Sequence, residues 1–205
     1  RPVHVFHSVR GGDNGFREGT AKWPQYYPDS LPQTTTIGIG CPTGVTFGTG
    51  AAFPKEYQQA FYICDWTYGR LIAVHLKPDG ASYTGRFENF VAPKSLRGKG
   101  PRVPLNLTDA VIGDDGALYF TIGGRGTQAS LFRVSWQGPR KMAPLPVEQL
   151  ADQTARSNRE LRHKLESLNV RPDPQTVAFA WPHLNSSDRY IRYAARLAVE
   201  RNPVS

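Results

Sequence analysis

Asp65-Trp66 closes the run AFYICDW (60–66) and sets a carboxylate beside an indole at the end of a strand-like segment. In that place a carboxylate can accept from a sugar hydroxyl or hold calcium, and an indole can stack on a sugar ring; the same pair can equally cap a turn and pack between sheets. Arg125 stands in Gly123-Gly124-Arg125-Gly126, where glycines let the backbone approach a ligand, so it is a candidate anion contact as well as a hairpin residue. His4-x-x-His7 has the look of a metal pair, but an odd separation on a strand puts the two rings on opposite faces, and no metal site is expected there. Cys41 and Cys64 belong to neither CxxC nor CxxCH, which removes a structural zinc site and covalent haem and leaves an optional disulfide in an oxidising compartment. His75, His163 and His183 have no partner at ligand spacing, and no Ser/His/Asp order, P-loop or dinucleotide fingerprint is present.

The elements that must position these residues fall into two styles. Residues 1–139 alternate short aromatic and β-branched runs with turns: 3–9, 43–48, 60–66, 70–76, 86–91, 108–113, 117–122 and 130–136. Asp79-Gly80 and Asp115-Gly116 sit where hairpins need turns; Asp114 shares the second of these Gly-containing segments. The order TGVTFG, AFYICDW, RLIAVHL recurs as TDAVIG, ALYFTI, SLFRVSW, and RFENFV adds a fourth strand to the first copy. Four-stranded units recurring along a chain are the mark of propeller blades, and the missing strand of the second copy is expected from the start of the chain. The fold class expected is therefore mainly β with a helical C-terminal part: two four-stranded β-propeller blades of a larger propeller, then a HEAT-like repeat.

The break falls in QGPRKMAPLP (137–146), so 140–205 is expected to hold a linker and helices. One helix is expected between Val147 and Leu168 with a break near Ser157-Asn158, a second over 174–184, and a third capped by Asn185-Ser186-Ser187-Asp188 and ending near Asn202-Pro203. On the third, Ile191, Ala194, Ala195 and Ala198 form a small-residue stripe, and Asp188 and Arg192 stand at i,i+4. The pair resembles one HEAT repeat, which cannot bury both faces and reads as the start of an array.

At 205 residues the chain is too short for a six- to eight-bladed propeller at roughly 40–50 residues per blade, so other blades must come from the same precursor or another chain. The first residue is not Met and already begins a strand-like run, as in a processed, truncated or excised chain. The 25 Lys and Arg exceed the 17 Asp and Glu, giving +8, but they are scattered among acids rather than ranked beside aromatic platforms, which argues against nucleic acid and leaves an acidic partner such as a sulfated or uronic polysaccharide. Apolar runs are strand-length, and no membrane span is expected.

The stretch from about Gly11 to Trp136 resembles the last part of the glucose/sorbosone dehydrogenase family of soluble quinoproteins. The resemblance is carried by GGDNGFRE (11–18), CPTGVTF (41–47), FPKEYQQAFYICDWTYGRLIAVHL (53–76) and LTDAVIGDDGALYFTIGG (107–124). It is similar also to the large secreted propeller proteins labelled membrane-bound dehydrogenases in Planctomycetes, where the propeller precedes HEAT repeats and often a haem-c domain. The resemblance implies a periplasmic or secreted protein that oxidises a sugar or polyol hydroxyl with pyrroloquinoline quinone and calcium at the propeller axis, and a haem-c electron acceptor as a partner. It also implies that Asp13, whose turn corresponds to one near the axial cleft, joins Asp65, Trp66 and Arg125 as a ligand contact. Where the family carries a quinone-binding Lys and two Arg, this chain has Thr67, Asn106 and Thr108. The alternative reading is a non-catalytic carbohydrate- or protein-binding scaffold.

Overall fold

The computed structural model describes residues 2–16, 22–28, 30–98, 105–139, 141–150, 153 and 155–203. The N-terminal region is mainly β, in several sheets, and a helical part of about three helices follows. The end of GGDNGFRE lies outside the described residues.

Strands β1 (Pro2–Val5) and β2 (Thr35–Ile39) pair with each other. Strands β3 (Pro42–Phe47), β4 (Phe61–Asp65), β5 (Arg70–Asp79) and β6 (Ser82–Val91) form a four-stranded meander in chain order, and β7 (Leu107–Ile112), β8 (Leu118–Gly124) and β9 (Thr127–Val134) form a three-stranded one. The internal repeat is thus real in three dimensions, down to its irregularities. In both first strands the register slips at the same place, between Pro42 and Val45 and between Leu107 and Asp109. One expectation fails: β1 does not complete the three-stranded sheet. Its partner is β2, a strand absent from the sequence-based expectation, and the backbone of Thr34 just before it donates to the Val5 carbonyl at 2.8 Å.

Contacts divide the chain into two compact units. The first contains 1–4, 35–77 and 85–152. Its core is made where strand alternation sends every second side chain inward: Tyr62 and Cys64 from β4, Leu71 and Ala73 from β5, Leu118 and Phe120 from β8. The slip in β7 lets Leu107 and Ala110, three apart, reach that same core. Strands β3 and β7 come so near that a Cβ on Gly44 would lie 2.6 Å from the Asp109 Cα.

The second unit contains 5–34, 78–84 and 153–205. Helices α3 (Arg156–Leu168), α4 (Pro174–Ala180) and α5 (Arg189–Glu200) supply most of its regular secondary structure. Two four-residue helical turns, α1 (Lys55–Gln58) and α2 (Val147–Leu150), lie in the first unit. The expected break near Ser157-Asn158 falls earlier, before α3, whose N-cap Ala155 is left-handed at φ 56°. Ile191, Ala194, Ala195 and Ala198 of α5 are buried with Leu165, Ala180 and Leu31. Asp188 caps α5 by accepting from the amides of Tyr190 (2.9 Å) and Ile191 (3.2 Å), and its other oxygen accepts from Ala81 N at 2.5 Å. Arg192 donates to the Ser186 carbonyl at 2.5 Å, so the residues expected as an i,i+4 pair both serve the entry to the helix.

Candidate functional site

The turn from β4 to β5 is built around Asp65. Its Oδ1 accepts from the amides of Cys41 (3.0 Å), Thr67 (3.1 Å) and Tyr68 (3.5 Å), and its Oδ2 accepts from Arg70 Nε at 2.9 Å. With 2% of its surface exposed, this carboxylate is an internal organiser, and its oxygens face protein donors instead of a ligand.

Trp66 leaves that turn toward the neighbouring sheet. Its Nε1 donates to the Gly123 carbonyl at 2.9 Å, and its own carbonyl accepts from Asn106 Nδ2 at 2.8 Å. The Gly123 amide returns a bond to the Asn106 carbonyl at 3.0 Å, closing a clamp between the β4–β5 turn and the β8–β9 turn. Arg125 occupies the tip of the second turn at φ 50°, and its guanidinium lies 5.1 Å from the Trp66 ring centroid. The same end of the unit carries a second stack that sequence reading missed, Arg70 over Tyr68 at 5.4 Å, with Tyr68 40% exposed. The available signal was the aromatic-x-aromatic-Gly-Arg spacing of residues 66–70.

The structure therefore brings Asp65, Trp66 and Arg125 together but assigns them different duties. Asp13 belongs to the second unit. Its Oδ1 accepts from Gly15 N at 2.7 Å, its amide donates to Tyr193 Oη at 3.1 Å, and Tyr193 donates to the Gly11 carbonyl at 3.1 Å, so Asp13 shapes a turn held against α5.

Pyrroloquinoline quinone, implied by the family resemblance, carries three carboxylates that need cationic partners. Thr67, Asn106 and Thr108 are neutral; Asn106 is spent on the Trp66 carbonyl, and Thr108 Oγ1 pairs with Thr121 Oγ1 at 2.7 Å. These residues do not fit the group. Among the described residues, no three or more His, Cys, Asp or Glu side chains gather as metal ligands. His4 and His7 hold separate partners, Thr36 Oγ1 at 2.9 Å and Ser82 Oγ at 3.0 Å. Cys41 and Cys64 are separate thiols, the first exposed and the second buried, so the optional disulfide is not formed.

With this geometry in place, comparison with known proteins adds a distant likeness. A proposed oxidoreductase (glucose dehydrogenase) from Thermus thermophilus shares 16% identity with the chain, at a TM-score of 0.39 over 55% of this chain and 31% of that one. The chain thus spans about a third of that protein's length. No protein-family profile matches, and no curated protein does.

Proposed function

We propose that this chain is the carbohydrate-recognising end of a secreted or periplasmic propeller protein related to the sugar dehydrogenases. In this reading its two meanders are the last blades, its helices begin a HEAT-like array, and the quinone is not seated on these residues. Further blades from the same precursor or another chain complete the ring, and any oxidation of a sugar or polyol hydroxyl draws its base and cofactor contacts from them.

The observation that carries the reading is the pair of arginine-backed aromatics at one end of the first unit, Trp66 with Arg125 and Tyr68 with Arg70. Sugar rings present C–H faces to aromatics and hydroxyls to guanidinium groups; here the two turns hold both aromatics in place without ordering cost at binding, and Arg125 supplies the guanidinium, since Arg70 already donates to Asp65, Asn89 and the Ile39 carbonyl. The test is titration of the intact protein with neutral oligosaccharides by calorimetry, alongside Tyr68→Ala and Arg125→Ala. Saturable binding that weakens at least about tenfold in both variants supports the reading. Binding unchanged in both, or absent from the parent protein, refutes it.

A further inference from the structure

At the opposite end of the three-stranded sheet from Arg125, the β7–β8 turn and the chain leaving β9 line an open-sided cavity of about 430 Å³. That volume lies within the range of small-molecule sites, roughly 300–1,000 Å³. Its polar wall is Asp115 with Arg133: Oδ2 of the carboxylate accepts from Arg133 Nη2 at 2.7 Å and Nε at 2.9 Å, and from Tyr119 Oη at 2.9 Å. Hydrogen bonding from Arg133, then from the Ala117 amide and Tyr119, holds the Asp115 carboxyl down to about 2, so at working pH it only accepts hydrogen bonds.

Trp136 lines a second side and is 39% exposed. Its ring lies against Gly138, where a Cβ would come within 2.0 Å of an indole carbon, so the glycine is what lets the ring take that place. Lys141 and Met142 line a third side. That wall is anchored from behind by Gln58, 2% exposed, whose Nε2 donates to the carbonyls of Phe53 (2.7 Å) and Ala143 (2.9 Å) and whose Oε1 accepts from Leu145 N at 2.8 Å.

An indole face, an obligate acceptor and two cations within one cavity select a ligand with an apolar ring face, hydroxyl donors and one negative charge. A phosphate or sulfate alone offers neither the ring face nor hydroxyls for Asp115, and a neutral sugar leaves Lys141 unmatched. We propose that this cavity is a binding subsite for an acidic sugar residue, a uronate, whose ring lies on Trp136, whose hydroxyls donate to Asp115 and whose carboxylate meets Lys141 and the outward N–H groups of Arg133. It uses none of the residues at the Trp66 end and is independent of that face.

The test titrates the intact protein with trigalacturonate and with its methyl ester, the same saccharide without charge, by calorimetry. Expected are saturable binding of the acid, at least about tenfold weaker binding of the ester, and Lys141→Gln weakening the acid toward the affinity of the ester while leaving the ester unchanged. Trp136→Ala removes both, with circular dichroism confirming its fold; Lys141 is exposed, so its variant keeps the test decisive if the tryptophan variant fails to fold. Tyr68→Ala and Arg125→Ala leave this binding unchanged. No saturable binding, equal affinity for acid and ester, or indifference to Lys141→Gln overturns the proposal, and loss only in the Tyr68 and Arg125 variants assigns the saccharide to the other face.

Discussion

Arg70 Nε meets Asp65 Oδ2 at 2.9 Å while the opposite oxygen of that carboxylate holds the amides of Cys41 and Thr67. The ion pair joins a side chain 3% exposed to one 14% exposed, so it is shielded from water and built into the turn that presents Trp66. Removing Asp65 takes the acceptor from Arg70 Nε and from three amides together, while Arg70 keeps Asn89 Oδ1 and the Ile39 carbonyl. Asp65→Ala is expected to lower stability by about 3–5 kcal/mol in chemical denaturation, with the loss of the turn also disordering Tyr68. A variant within about 1 kcal/mol of the parent, roughly the error of such measurements, contradicts the organiser role.

The approach of β3 to β7 leaves no room at Gly44, where a Cβ would stand 2.3 Å from Asp109 Oδ1. Gly44→Val must wedge the two meanders apart, at an expected cost of about 2 kcal/mol or more. Urea denaturation reads the change; an unaltered midpoint means that the two strands are not in contact in solution.

His7 is held neutral. Burial, and then the positive charges of Arg162, His163 and Arg159, bring its pKa from 6.5 down to about 4. Between those values the unfolded chain binds a proton that the folded chain refuses, so stability falls as pH drops from about 6.5 to about 4 and levels off below. Thermal melts of the parent and of His7→Gln across this range are expected to converge toward the acid end, because the variant lacks this titration. Parallel curves show that His7 does not supply the dependence.

The two cysteines are predicted to differ in reactivity. Burial, with the nearby Asp109 charge second, pushes the Cys64 thiol up to about 12, whereas Cys41 is exposed. A thiol reagent should modify one site quickly in the native protein and both after denaturation. Two fast sites, or none under denaturing and non-reducing conditions, refute this; the second result restores the disulfide.

Local pattern alone determined much of this protein. Short aromatic and β-branched runs between turn residues located β3 to β9, because strand propensity and turn chemistry are local; how each strand is covered varies, with β4 buried on both faces and β9 exposed on both. The small stripe of α5 and its Asp188 cap were legible for the same reason: a helix face and an end amide are satisfied within a few residues. The role of Asp65 was not legible, since a carboxylate at a strand end reads alike whether it meets a ligand or four protein donors, and only closure of the turn against Cys41 decides between them. Strand β2, with a glycine near its centre, has no periodic signal of its own and exists because β1 pairs with it. Likewise Leu31 and Ala81 are buried with α5 through contacts spanning more than a hundred residues. Sequence periodicity reports that a face is covered; which segment covers it is a long-range choice that only the folded chain makes.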